Sequence, residues 1–341
     1  MLPTDPTSLR LAARITIASM AAYVVAAAVT LPESLWAVIT ALIVVQMSVG
    51  GTIGAGLDRM IGTFVGAAVG GLAATIHALW DAVPIWLLLL LSIAPLSLFA
   101  TRRPSYRVAP VTAALMLLIV HDPTMSISFA VDRVFEIAIG CVIGVAVSIL
   151  VLPYHAEQQL VDRVARGLRI LAELVRALLG ARDAPPTAVV DRLLEQVRAV
   201  LAACETTATD VQRERRMHIG SGRDPQPLFR TLRRLRSDVA IVDRAMLDLR
   251  AVTGAAATLP DLAPLALAIA DFFDQAAVAL GKRARAPSLA AFDAAVATHL
   301  DASTHGELLP LSFAVAALRR DCDDLAERMA ERAADQAGAP A

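Results

Sequence analysis

Lysine and cysteine are both scarce in this sequence of 341 residues. Lys282 is the only lysine, and no G-x-x-x-x-G-K-[ST] phosphate-binding loop is present, so ATP hydrolysis by this chain is not expected. The three cysteines (141, 204 and 322) form no CxxC pair and have no zinc-type spacing with histidine. Nothing resembles a catalytic triad, a paired-carboxylate site or a metal motif. We therefore expect neither an enzyme nor a cofactor.

Charge is also scarce, and it is unevenly distributed. Charged residues make up 18% of the chain and hydrophobic residues 57%, whereas about a quarter of the residues of ordinary soluble domains are charged. Residues 1–153 contain only 7 of the 31 Lys and Arg residues and 7 of the 32 Asp and Glu residues. This distribution predicts an apolar domain at 1–153 and a charge-rich domain at 154–341. Neither domain is basic overall, so a nucleic-acid partner is not expected.

The apolar domain contains six hydrophobic runs, which predict six helices in a lipid bilayer. The runs are 15–31, 34–49, 60–79, 83–100, 108–120 and 134–152. A helix needs about 20 residues to cross a hydrocarbon core of roughly 30 Å, and the second and fifth runs are shorter than that. Arginines concentrate in alternate loops, which predicts that the N-terminus and the charge-rich domain are cytoplasmic.

Beyond residue 153 the pattern is that of amphipathic helices. Apolar residues recur at three- and four-residue steps between charged ones, and no alternating run is long enough for a sheet. The expected fold is therefore all-α: a polytopic membrane domain followed by a cytosolic helical domain.

The stretch 36–71 contains a short apolar run, a glycine-rich part, an Asp58-Arg59 pair and a second apolar run with spaced glycines. In a bilayer, an interrupted apolar segment is tolerated only where the freed backbone faces protein or a water-filled cavity. We therefore expect a turn at Gly50-Gly51-Thr52, a loop position for Arg59, and a binding site or pathway nearby.

A weak internal repeat relates two parts of the apolar domain. An Asp-Arg pair followed by two glycines recurs at an offset of 74 residues: Asp58-Arg59, Gly66 and Gly70 correspond to Asp132-Arg133, Gly140 and Gly144. Three spans per copy would insert the second copy with the opposite orientation. Paired short spans in such inverted repeats point to a transport site, so residues 36–70 and 110–148 are expected to shelter a polar route.

Polar residues in or beside the runs are candidates for that route. They are Thr40, Gln46, Arg59, Arg133 and Glu136. The two arginines, expected at opposite mouths, would attract an anion, and Glu136 would carry a coupling proton. The alternative interpretation is that Arg133–Glu136 and Asp58–Arg59 are satisfied ion pairs.

The spaced glycines have a packing interpretation rather than a substrate-binding one. They are Gly62, Gly66, Gly70, Gly140 and Gly144. Small residues four apart on a membrane helix allow a neighbouring helix to approach closely.

Three segments resemble a known family: Trp36-Ala37-Val38-Ile39-Thr40, the Gly50-Gly51-Thr52 turn and Asp58 to Thr63. They resemble the FUSC (fusaric acid resistance) superfamily of aromatic acid exporters, and also the plant aluminium-activated malate transporters. The resemblance implies a bacterial inner-membrane protein with six spans and a cytosolic helical domain. It further implies export of aromatic or other organic carboxylate anions along a pathway that includes Trp36 and Arg59.

The resemblance also bears on partners. Many of the exporters have twelve spans and this chain has one six-span unit, so a homodimer is expected, with a periplasmic adaptor protein as a possible further partner. Two other functions remain open: a passive organic-anion channel, and a membrane-anchored scaffold whose helical domain binds a partner.

Overall fold

The computed structural model describes residues 6–30, 33–80, 82–119, 123–180, 185–219, 223–253, 261–300 and 308–337. Twelve α-helices are present, and there is no strand among these residues. The chain divides into two compact units, residues 1–156 and 157–341, and each is described by itself.

The first unit contains six helices. They are α1 (Pro6–Ala28), α2 (Ser34–Val44), α3 (Val49–Leu79), α4 (Ile85–Arg102), α5 (Ala109–Ile119) and α6 (Pro123–Leu150). Helices α1, α3, α4 and α6 are long and apolar enough to cross a membrane. Helices α2 and α5 have 11 residues each, which is about 16 Å at 1.5 Å per residue and about half of the hydrocarbon thickness.

The glycine-rich stretch lies inside a helix, so the expected turn at Gly50 is wrong. The non-helical break after α2 is at residues 45–48, and α3 then continues through the glycines without interruption. The Ser48 hydroxyl caps α3 by accepting a hydrogen bond from the Gly51 amide at 3.0 Å. As a result, Arg59 and Arg133 are each the eleventh residue of a helix, rather than loop residues.

Each short helix packs against a long helix from the other copy of the repeat. Helix α5 lies against α3, and α2 lies against α6. A Cβ atom built on Gly66 would be 2.4 Å from the Ala109 carbonyl oxygen of α5, and one on Gly140 would be 2.5 Å from the Ala37 carbonyl oxygen of α2. Helix α1 completes one group by packing on α2 and α6, as α4 does on α5 and α3. The helix contacts therefore follow the repeat in the sequence.

The other spaced glycines differ in how closely the backbones approach. A Cβ atom on Gly62 or Gly70 would be 2.9 Å or 2.6 Å from a backbone oxygen of the facing segment. At Gly144 the nearest atom would be a Val45 methyl carbon at 3.5 Å, which is ordinary van der Waals contact. Alanine would therefore fit at Gly144.

The second unit contains the remaining six helices. They are α7 (Ala156–Leu179), α8 (Thr187–Arg216), α9 (Gln226–Thr253), α10 (Ala263–Gly281), α11 (Ala290–His299) and α12 (Leu309–Ala337). The apolar stripe of α7 is buried, Leu168 and Leu171 completely so. Ion pairs link its two ends to other helices, Arg176 with Asp274 and Glu157 with Arg332, both at 2.7 Å. Helix α10 is also apolar enough to span a membrane by composition.

We predict that Gly66→Ala destabilises the protein, because the new methyl group would lie about 2.4 Å from the Ala109 carbonyl oxygen and overpacking costs about 1–3 kcal/mol. Gly71→Ala, on the same helix, is the matched control. No described atom lies within 4 Å of its added Cβ, and alanine favours a helix by about 1 kcal/mol. Thermal unfolding in detergent measures both variants, and equal melting temperatures would contradict the close helix contact.

Candidate functional site

Arg133 of α6 lies in a cluster of charged and aromatic side chains, which we call the Arg133 cluster: Glu33, Trp36, Phe129, Arg133 and Glu136. The guanidinium nitrogens are 3.8 Å from the Glu33 carboxylate and 3.7 Å from the Glu136 carboxylate. The guanidinium carbon is 4.0 Å from the centre of the Trp36 ring and 4.9 Å from that of Phe129. Arg133 is 3% exposed and Glu136 2%.

Hydrogen bonds within the Arg133 cluster join the start of α2 to the middle of α6. The Trp36 indole N–H donates to the Glu33 carboxylate at 2.8 Å, and the Glu33 backbone N–H donates to a Glu136 carboxylate oxygen at 3.0 Å. A buried charge is tolerated when it is paired, and the aromatic rings add cation–π attraction. The charge of Arg133 is therefore compensated by the protein itself.

Arg59 occupies the equivalent position of α3, but its surroundings are different. It is half-buried, and its Nε atom, like the Nη1 atom of Arg133, is buried without a hydrogen-bond partner in the described part of the chain. The difference lies in the carboxylates. No described carboxylate lies within ion-pair distance of Arg59. The neighbouring Asp58 instead accepts a hydrogen bond from the Ser105 hydroxyl at 2.5 Å, so the Asp58–Arg59 pair considered from the sequence does not form.

The repeat explains why the two arginines differ. The short helices correspond at an offset of 72 residues, because Gly140 meets the Ala37 carbonyl as Gly66 meets that of Ala109. By this structural match, Ser105 stands for Glu33 and Val108 for Trp36, and Gly62 stands for Glu136 at the offset of 74. A Cβ atom on Gly62 would be 2.9 Å from the Ser105 carbonyl oxygen and 3.2 Å from the Val108 Cβ, so these residues meet as their counterparts do. The surroundings of Arg59 therefore contain the equivalent cation without the carboxylates that pair with Arg133.

The two arginines are near each other, and their expected position at opposite mouths is wrong. Helices α3 and α6 are antiparallel, with the Ser148 and Thr52 hydroxyls 3.3 Å apart. The Cys141 thiol of α6 is 3.7 Å from the Gly56 carbonyl oxygen of α3. From that contact, Arg59 is three residues along α3 and Arg133 eight residues along α6 in the same direction. At 1.5 Å per residue they differ by about 8 Å along the helix axes, much less than a hydrocarbon core of roughly 30 Å. The reason is that both arginines lie inside their helices, ten residues after the first residue, rather than in the loops at the ends.

Two further uncharged candidates, Thr40 and Gln46, lie along α2 and its break. Thr40 is buried against Gly140, and its hydroxyl has no hydrogen-bond partner among the described residues. Gln46 lies in the break with an exposed side chain, whose amide donates to the Ile43 carbonyl at 3.0 Å. Gln46 is thus at the opposite end of α2 from Trp36.

Arg14 and Glu33 are two charged residues that the sequence interpretation missed. Arg14 of α1 is 1% exposed and donates to the Met47 carbonyl of the break at 2.5 Å. Its Nε and Nη1 atoms have no hydrogen-bond partner within the described ranges. Arg14 begins a series with buried alanines at 18, 22 and 26, and this four-residue spacing was the available signal. No comparable signal marked Glu33, because its charged partners Arg133 and Glu136 are 100 residues or more away in the sequence.

The fold and the buried charges between apolar helices define a multi-pass membrane protein. The sequence profile of the fusaric acid resistance protein family matches residues 8–341, nearly the whole chain, so the chain belongs to that family, FUSC. The resemblance inferred from residues 36–70 is confirmed. Membership and the apolar helices together indicate a membrane transporter. No match was found among curated proteins.

We predict that Arg133→Gln lowers stability by roughly 3 kcal/mol or more, because it leaves the Glu136 charge buried without its cation. Arg59→Gln is the matched change at the equivalent position and should cost little, since no described carboxylate depends on Arg59. The double variant Arg133→Gln with Glu136→Gln should recover part of the loss. Thermal unfolding in detergent measures all three, and equal losses from the two single variants would refute the difference between the arginines.

Proposed function

We propose that this protein exports organic carboxylate anions across the bacterial inner membrane and that Arg59 supplies the binding charge. The observation that carries this proposal is the contrast between two arginines at equivalent positions. Arg133 is compensated by Glu33 and Glu136, whereas Arg59 is half-buried without an ion pair in the part of the chain that is described. A bound anion would provide the charge that is missing.

The chemistry of a guanidinium group suits a carboxylate. Its planar N–H groups bind the two carboxylate oxygens side by side, and such charge-assisted bonds are stronger than neutral ones. Arg133, on the adjacent antiparallel helix α6, adds attraction at longer range. The chain's membership in the fusaric acid resistance family supports substrates of that kind, a carboxylate on an aromatic ring. We therefore place aromatic carboxylates among the substrates.

The proposed route lies between the two copies of the repeat. We assign six spans to the first unit, three per copy and inserted with opposite orientation, with the short helices α2 and α5 as the middle spans. Non-helical backbone beside short spans is the usual place for substrate sites in inverted-repeat transporters. The arginine distribution supports a cytoplasmic N-terminus and a cytoplasmic second unit. The homodimer and the periplasmic adaptor stay predictions.

Transport by proteoliposomes tests the role of Arg59. We expect Arg59→Gln to raise the half-saturation concentration for benzoate export roughly tenfold to a hundredfold, since a charged hydrogen bond contributes about 1.5–3 kcal/mol to binding. Arg59→Lys should retain part of the affinity, because it keeps the charge and loses the paired geometry. Arg103→Gln, at an exposed arginine of the same unit, is the control for net charge. Unchanged affinity in Arg59→Gln would remove Arg59 from the mechanism.

The same proteoliposomes distinguish an exporter from a channel. We propose that Glu136 takes up the coupling proton, because protonation would release the buried Arg133 from one of its two carboxylates. A protonophore should then abolish accumulation against a gradient. Glu136→Gln should abolish it as well and leave downhill exchange of benzoate. Currents of equal size with and without a proton gradient would favour the passive channel.

A further inference from the structure

The second unit contains a groove of about 440 Å³ between α9 and α12. The described residues that line it are charged or polar: Arg230, Arg233, Arg234, Ser237, Asp238 and Asp321. The groove is formed by this unit alone, so a ligand bound there would be independent of the function proposed for Arg59.

Two of the three arginines in the groove are available to a ligand. Arg234 is engaged, since its Nε donates to Asp321 at 3.0 Å and another of its nitrogens contacts Asp324. Arg230 and Arg233 are exposed and form no ion pair with any described residue. They are three residues apart on α9, so they lie on the same face of that helix. Two uncompensated guanidinium groups therefore flank one groove.

Asp238 forms part of the groove wall and is unusual for a carboxyl group. It is 9% exposed, and its Oδ2 atom is buried without a hydrogen-bond partner among the described residues. Burial, followed by the adjacent Asp321 carboxyl group, raises the pKa of Asp238 to about 7, against the opposing charges of Arg234 and Arg320. Near neutral pH the Asp238 carboxyl group is therefore protonated in part.

We propose that this groove binds a phosphate-type oxyanion, held by Arg230 and Arg233 above the Asp238 carboxyl group. Two guanidinium groups one turn apart suit an ion with three or more oxygens and a double negative charge, because each can form its own pair of hydrogen bonds. The volume leaves space for an organic group attached to the phosphate. The protonated Asp238 carboxyl group donates a hydrogen bond to the anion, and the ionised one repels it.

The charges that face Asp238 come from two helices. They are Arg230, Arg233 and Arg234 on α9, and Arg320, Asp321 and Asp324 on α12. Burial raises the pKa of the neighbouring Cys322 thiol, so that group stays neutral. Asp238 is thus the group whose charge changes near pH 7, and the oxyanion should bind more tightly at pH 6 than at pH 8.

Calorimetric titration of the purified full chain in an uncharged detergent tests the site. Sulfate is the first probe, because its charge does not change between pH 6 and 8. We expect saturable binding that is at least tenfold weaker in the double variant Arg230→Gln with Arg233→Gln. The matched control replaces two exposed arginines outside the groove, Arg192→Gln with Arg244→Gln, and should bind as the wild type does.

Asp238→Asn supplies a second variant that keeps the shape of the site. The wild type should bind sulfate several-fold more tightly at pH 6 than at pH 8, and Asp238→Asn should bind equally at both. The raised pKa also means that the folded chain holds this proton more tightly than the unfolded chain. The wild type should therefore lose stability as pH rises from about 4 through 7, and Asp238→Asn should lack that loss.

Two further probes separate the sources of the anion. Inorganic phosphate represents a soluble metabolite, and dihexanoylphosphatidylglycerol represents an anionic lipid headgroup. Binding of sulfate and phosphate that depends on Arg230 and Arg233 supports a soluble oxyanion. Binding of the short-chain lipid alone, with the same dependence, supports a headgroup. The proposal would be overturned if no probe binds, or if the double variant Arg230→Gln with Arg233→Gln binds the probes as tightly as the wild type does.

Discussion

A guanidinium group enclosed by apolar helices needs a counter-charge, because its removal from water costs several kcal/mol. At Arg133 the chain supplies that counter-charge through Glu33 and Glu136, and the result is a bond between α2 and α6. At Arg59 the described residues supply none. One residue type, repeated at equivalent positions, thus stabilises the helix packing in one copy and leaves an open charge in the other. The proposed transport function depends on this difference.

The glycine contacts place the two arginines where they are. Helices α2 and α5 are too short to cross a bilayer alone, and each gains its packing by lying against the other copy's long helix. Backbone approach at Gly66 and Gly140 is close enough to exclude a methyl group. Helices α3 and α6 also pack directly on each other as an antiparallel pair, through Gly56 with Cys141 and Thr52 with Ser148, which brings Arg59 towards Arg133. Packing between the copies is therefore also the origin of the charged site.

The family, the all-helical fold and the repeat could be predicted from the sequence, because hydrophobic runs and the spacing of an Asp-Arg pair with two glycines are local patterns. The positions of Arg59 and Arg133 could not. A glycine-rich stretch of sequence suggests a turn, but the same glycines can lie in a helix and allow a second helix to pack closely. The sequence alone does not show whether a facing helix is present. The contacts of Glu33 with α6 and of Arg14 with the break join distant segments, and no periodicity relates them.

The most direct test is a crystal structure of the protein with 4-iodobenzoate, in which the iodine atom is located by anomalous scattering. The carboxylate is expected to lie on the Arg59 guanidinium at hydrogen-bond distance, about 2.8 Å, with the iodine beside Ser105 and Val108. The Arg133 cluster should keep its own ion pairs in the same crystal. A ligand bound at Arg133 in place of Glu136, or one remote from both arginines, would contradict the assignment of the binding charge to Arg59.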